Sequence, residues 1–419
     1  MSEPLIHISK KQALYFAGFL VFYEFLTFMT NDMIMPGMLQ VVGTFHASLA
    51  EIPKSLSMYV LGGASLQLFL GPLSDRIGRR PVMIMGAVLF LLCTIAIGSS
   101  QTMSQFIAAR FFQGMGLCFA GVVGYATIQE MFPEMESVRL ISLMANVSIM
   151  APLVGPLAGA VFVHYYSWRL IFVMTGVAAV LALWGLWRFM PETVGEIKRD
   201  GSKIEVTSLS FKQILANYKQ LLLNKVFVFG AVAMGFLWVP CLAWIALSPI
   251  IVVEQAHLSL IEYGILQIPV FGAAALGNFV LRRMTHHISL RKLMQLGGSF
   301  VAAGLLLLIL LPTQFGSNYA WLMPGIIVFF FGMGIVNGPL SRFVLFSTSV
   351  SKGTASAVMS LFSMCIPGIA IQVFGALYNK QHSNVVFVEA CFVAGIIFLL
   401  MLTASLTTES RQPAQTTLG

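Results

Sequence analysis

Charge is scarce in this chain. Lysine, arginine, aspartate and glutamate together make up 10% of its 419 residues, while 58% are hydrophobic; a soluble domain carries about a quarter charged residues, so a soluble globular protein is excluded. Cysteine is scarce as well. Cys93, Cys118, Cys241, Cys365 and Cys391 are separated by 25, 123, 124 and 26 positions, which leaves no metal or redox spacing and makes them reduced packing residues. GxSxG, HExxH and GxxxxGK[ST] are also missing, which argues against a serine hydrolase, a zinc protease and an ATP-driven pump. The chain is therefore read as no enzyme, with no cofactor and no metal.

What is present is a series of apolar runs each about twenty residues long, enough to cross a bilayer of about 30 Å as helices. Barrel strands would alternate over about ten residues instead. The expected fold is an all-α membrane protein with twelve transmembrane helices, near 13–43, 52–74, 81–99, 104–129, 139–165, 168–190, 225–253, 260–281, 290–311, 318–342, 352–379 and 384–407. The first span follows a short polar lead with no small-residue cleavage site, so it is expected to be retained. The one long polar stretch divides the spans into two six-helix bundles, 1–190 and 225–419, joined by a cytoplasmic linker at 191–224 that reads as a solvated connector.

The net charge of +8 is a topology signal, not a sign of nucleic-acid binding. Nineteen of the 24 lysines and arginines fall on the side of the termini, against Lys54, Arg169 and Lys380 on the other, with Arg110 and Arg188 inside spans. That bias makes both termini cytoplasmic.

Two pseudo-symmetric halves are supported by a weak repeat. GPLSDRIGRR at 71–80 has a degraded counterpart from Gly277, and FFQGMGL from Phe111 is echoed by FFFGMGI from Phe329, at an offset of 218 positions from Gly114 to Gly332. Repeated halves around a midplane site are a common plan for secondary transporters.

Against this apolar background, Glu24 and Asp32 stand out in the first span. A carboxylate at mid-membrane costs at least roughly 2.5 kcal/mol on insertion scales, so such a group normally faces protein or water and marks an ion or substrate path. On a helix Glu24 and Asn31 lie within about 20° of each other, Asp32 about 80° round, and the two acids about 12 Å apart along the axis. They are read as a titratable wall of a central cavity. In the fourth span Arg110, with Gln113 one turn on, is read as inward-facing because Gly114, Met115 and Gly116 suit close helix contact; it can stabilise a cavity carboxylate or hydrogen-bond a substrate.

In the fifth span Pro152 and Pro156 remove backbone donors, and Gly155 and Gly159 admit a close partner. The segment 71–80 reads as a tight cytoplasmic loop in which Asp75 is attracted to the helix start at 351–354, a latch built with Gly71, Arg76, Gly78, Arg79 and Arg80. Glu130, Glu254, Glu262 and Glu389 read as solvated, and Trp238, Pro240 and Trp244 as cavity candidates outweighed by packing. The 24 methionines give adaptable apolar surface.

These motifs together resemble the major facilitator superfamily: 71–80 its signature between helices 2 and 3, 110–114 its helix 4 motif, and Gly155-Pro156 the helix 5 motif of its antiporters. Three further stretches, YEFLTFMTNDMIMPGM from Tyr23, SLMANVSIMAPLVGPLAG from Ser142 and LAWIALSPII from Leu242, are similar to its bacterial multidrug/proton antiporters. The resemblance implies a monomeric multi-pass protein of the bacterial inner membrane that exports lipophilic drugs, cationic or neutral, against inward protons by alternating access, and so confers antibiotic resistance. It also implies roles. Glu24 and Asp32 would couple protons and recognise cations, Arg110 would be the essential helix 4 arginine, and Asn31, Asp32, Phe28, Leu117, Met144 and Ser148 would line the drug site. Phe28 and Ser148 stand where those antiporters have tyrosine and alanine, so the substrate range would differ. The alternative is a proton-coupled transporter of one physiological solute, a siderophore, sugar or metabolite; an intramembrane enzyme or a receptor has less use for two acids on one face.

Overall fold

The computed structural model describes residues 4–199, 201–202, 211–285, 287–316, 318–381 and 384–411, with the side chains of 138, 142, 145–149, 211, 379–381 and 411 left aside. The described residues are helical almost throughout and contain no strand, only an isolated bridge between Ile6 and Lys198. In chain order the helices are α1 (Lys10–Ile34), α2 (Met38–Thr44), α3 (Glu51–Ser65), α4 (Gln67–Ile77), α5 (Arg79–Gly98) and α6 (Met103–Met131). Then come α7 (Glu134–Tyr165), α8 (Trp168–Phe189), α9 (Phe211–Leu223), α10 (Lys225–Gln255) and α11 (Leu260–Met284). The last four are α12 (Leu290–Phe315), α13 (Tyr319–Phe346), α14 (Lys352–Gln381) and α15 (Asn384–Arg411).

Ten of these are long and apolar enough to cross a membrane among the described residues, and α3 with α4, bent by 41°, makes an eleventh span. α7, a 32-residue helix, takes the fifth place in chain order, with a shorter apolar part at Met150–Tyr165.

Local chemistry explains where the helices depart from the sequence reading. The first span breaks after Ile34, where Pro36 cannot donate to the ladder, and α2 is a separate short helix. The supposed loop at 71–80 is helical through Ile77; the turn is Gly78 alone, at φ 106°, a conformation that favours glycine. α6 and α10 each contain a π stretch, Phe119–Gly124 and Pro249–Gln255.

The chain divides into two compact units, residues 1–210 with 258–267, and 211–257 with 268–419. In the first, α1 packs on α7 and α8, α5 on α6 and α8, and α3 on α6. In the second, α12 packs on α13, and α10 on α14 and α15.

A reciprocal glycine clasp recurs in both halves. A Cβ added at Gly62 of α3 would strike the Phe111 carbonyl of α6, and one at Gly114 would strike the Tyr59 carbonyl. In the second half Gly277 of α11 meets the Phe331 carbonyl and Gly334 of α13 meets the Ala274 carbonyl in the same way. Gly114 therefore corresponds to Gly334, not to Gly332 as the FFQGMGL echo suggests; Gly332 instead faces Val301 and Gly297 of α12. The echo misses the true register by two positions.

The start of the linker is not a free connector. Arg199 N–H donates to the Leu5 carbonyl at 2.7 Å, Leu5 N–H donates to the Met131 carbonyl at 2.7 Å, and Ile6 is buried. The N-terminal segment and residues 198–199 are thus tied to the end of α6. Lys203 and Glu205 lie outside the described residues.

Candidate functional site

The acids of α1 lie in a span whose other residues are mostly apolar, so each needs a polar partner within the protein. Asp32 is 3% exposed, and its carboxylate accepts a hydrogen bond from Asn31 Nδ2 at 3.1 Å. The side-chain Oδ1 of Asn31 in turn accepts from Arg110 Nη2 at 2.5 Å. Arg110 is fully buried, and Nη1 donates to Gln113 Oε1 at 3.0 Å, while Gln113 Nε2 donates to Thr94 Oγ1 at 2.9 Å. The Arg110 guanidinium carbon sits 4.3 Å from the centroid of the Tyr59 ring, a cation–π contact. One polar chain thus runs Asp32, Asn31, Arg110, Gln113, Thr94 across α1, α6 and α5.

Its geometry follows from the close packing around it. Gly114, one turn beyond Arg110, lets α6 press on the Tyr59 backbone, which sets the ring beside the guanidinium. Tyr59 Oη donates to the Thr27 carbonyl at 2.6 Å, fixing that ring against α1. On the opposite side, a Cβ at Gly155 would lie 2.6 Å from Asp32 Cβ, and one at Gly159 would collide with the Met33 carbonyl. The two glycines of α7 therefore seat its backbone against the turn of α1 that carries Asp32. Pro152 and Pro156 lie in the same stretch of α7 and remove two ladder bonds there.

Glu24 occupies a second position. It is 4% exposed and accepts a hydrogen bond from Tyr125 Oη of α6 at 3.0 Å. Asp32 lies eight residues on, about 12 Å along the helix. Both acids are enclosed by protein in this conformation. Of the drug-site candidates, Met144 is fully buried on α7, while Phe28 and Leu117 are partly buried. The side chain of Ser148 lies outside the described residues. Trp244 is fully buried with its ring 5.8 Å from that of Phe387, a packing role.

The 71–80 segment forms a second charged cluster. Asp75 pairs with Arg79 at 2.5 Å, one turn along, so its charge is met within its own unit. Arg79 also donates to Ser74 Oγ and pairs with Glu130 at 2.8 Å. Glu130 therefore is not solvated as expected; it accepts from Thr193 as well. Glu192 accepts from the backbone N–H groups of Arg79 and Arg80 at 2.9 and 3.1 Å, capping α5 where its own helix supplies no acceptors. Gly78 is needed on a second count, since a Cβ there would strike the Glu192 carboxylate. Arg80 donates to the Trp187 carbonyl, and Arg76 is exposed.

Tyr59, Thr94 and Tyr125 escape a reading from sequence because hydroxyl-bearing residues in apolar spans are common; only Gly114, which brings Tyr59 to Arg110, leaves a signal. A surface cavity of about 500 Å³ lined by Gln40, Thr44, His164, Tyr165 and Trp168, among others, contains none of the site residues.

Comparison with known proteins adds relatives. The family model described as Major Facilitator Superfamily matches residues 20–372. The chain is 45% identical over 392 residues to the multidrug transporter MdfA of Escherichia coli O157:H7, covering 94% of this chain and 93% of that one. It is 43% identical over 368 residues to the multidrug transporter MdfA of Yersinia pestis bv. Antiqua (strain Angola), covering 88% of each. Among solved structures, a D-xylose-proton symporter superposes with a TM-score of 0.73 at 16% identity, over 95% of this chain and 97% of that one. The human organic anion transporter MFSD10 gives 0.66 at 14% identity, over 94% and 99%. These two speak to fold alone.

Proposed function

Because this chain belongs to the Major Facilitator Superfamily, we propose that it is a transporter that exports lipophilic drugs, cationic or neutral, in exchange for protons. The observation that supports this best is the buried pairing of Asp32 with Arg110 through Asn31. A buried acid in that position has two ways to have its charge neutralised, by taking a proton or by facing a bound cation. The two are mutually exclusive, and that exclusion is what an exchanger requires. When Asp32 is protonated, the electrostatic hold on Arg110 weakens and the Asn31 bridge is free to change partner. Glu24, held by Tyr125, supplies a second negative site for cations. Since both acids are enclosed here, exchange with either side requires the alternate arrangements of an alternating-access cycle.

The remaining assignments belong to the same proposal: two six-helix bundles at 1–190 and 225–419, both termini cytoplasmic in a bacterial inner membrane, and a monomer as the working unit. Phe28, Asn31, Leu117, Met144 and Ser148 line the drug site. The cluster of Gly71, Asp75, Arg76, Gly78, Arg79 and Arg80 acts as a latch, with Glu130 pairing the Arg79 charge and Glu192 holding the backbone at Arg79 and Arg80.

The experiment is drug transport in everted vesicles carrying wild type or Asp32→Asn. Wild type should accumulate drug with dissipation of the proton gradient, and Asp32→Asn should show no drug-induced proton movement. Retained exchange in Asp32→Asn would remove that acid from the mechanism.

A further inference from the structure

We propose that the outward face of α9 is a docking surface for the anionic headgroup layer of the membrane. A single residue, Asn224, separates α9 from the membrane span α10. Asn224 caps α10 by accepting from Phe227 N–H at 3.2 Å and donates to the Ser347 carbonyl at 2.8 Å, so the junction is held in place. Leu221 is fully buried, and Gln220 donates to Ser349 Oγ at 3.3 Å. One side of α9 is thereby fixed on its own unit, and the other side cannot turn inward.

That other side is apolar and cationic together. Leu215, Leu222 and Leu223 are 58, 56 and 70% exposed, and Lys212 and Lys219 are exposed beside them. At 100° per residue all five fall within about 80° of Leu215, with Leu221 about 120° away. Residues 206–253 contain no acid, so Lys212, Lys219 and Lys225 are the charged groups of the whole region. Three leucines on a helix joined to a membrane span meet acyl chains at the headgroup boundary, while lysine stems reach up to the phosphates. Lysines without neighbouring acids favour anionic over zwitterionic lipid. The charge on this face selects that surface as its occupant over a second copy of the chain, which would bring lysine against lysine.

The test uses the full chain in nanodiscs of phosphatidylcholine with or without phosphatidylglycerol. Nitroxide labels are placed through Leu215→Cys and Leu222→Cys, with the natural cysteines replaced, and their accessibility to oxygen and to a water-soluble nickel chelate is read. With phosphatidylglycerol the labels should be oxygen-accessible and shielded from the chelate. Lys212→Gln and Lys219→Gln should each weaken this partition by roughly fivefold. A Leu222→Trp variant quenched by brominated phosphatidylglycerol gives the same readout without replacing cysteines. Equal chelate access in both lipids overturns the proposal, as does shielding indifferent to phosphatidylglycerol and to both lysines, or shielding that appears only when two copies share a disc.

Discussion

Arg110 is a positive charge fully buried in the protein, and the polar chain it sits in is what makes that tolerable. Leaving a buried donor without its acceptor costs about 1–3 kcal/mol, and more when the donor is charged. Asn31→Ala should therefore destabilise the protein by a few kcal/mol and abolish export, whereas Thr94→Ser, which keeps the hydroxyl, should do neither; thermal unfolding of purified protein and drug susceptibility of a pump-deficient host check both. Arg110→Lys keeps the charge but cannot donate to Asn31 and Gln113 from one planar group. It should reach the membrane and leave the host drug-sensitive. Glu24 offers a different contrast, because a neutral drug has no use for a second negative site. Glu24→Gln should cut resistance to cationic drugs and spare neutral ones in the same susceptibility panel.

Helices meet here through glycine backbones, and the cost of filling those contacts depends on what lies opposite. Gly114→Ala forces α6 away from the Tyr59 carbonyl, while Gly121 has nothing within 4 Å of its missing Cβ. Overpacking costs about 1–3 kcal/mol or more, and glycine to alanine on an open helix face gains up to about 1 kcal/mol. Gly114→Ala should lower the melting temperature and Gly121→Ala should not. Gly78→Ala should also lower it, since φ 106° is strained for alanine and the new methyl meets Glu192.

These same elements show what could be read from sequence. The spans, the two acids of α1 and the inward arginine were legible because charge in an apolar run is rare and must be compensated. The clasp register, the Glu192 cap and the Glu130 pair were not, because each joins residues far apart in the chain through a contact that only packing decides. Gly114 and Gly332 sit in nearly identical words yet face different partners.

The whole molecule is an exchanger only if drug and proton contend for the same buried acid. Everything else, including the glycine clasp repeated in both halves, the charged cluster at 71–80 and the bias of lysine and arginine, would serve a transporter of any coupling. The decisive quantity is proton release when a cationic drug is added to purified protein in weakly buffered solution. Wild type should acidify the solution on binding, and Asp32→Asn should bind without releasing a proton. Drug binding by wild type with no acidification, or release undiminished in Asp32→Asn, would contradict exchange at Asp32.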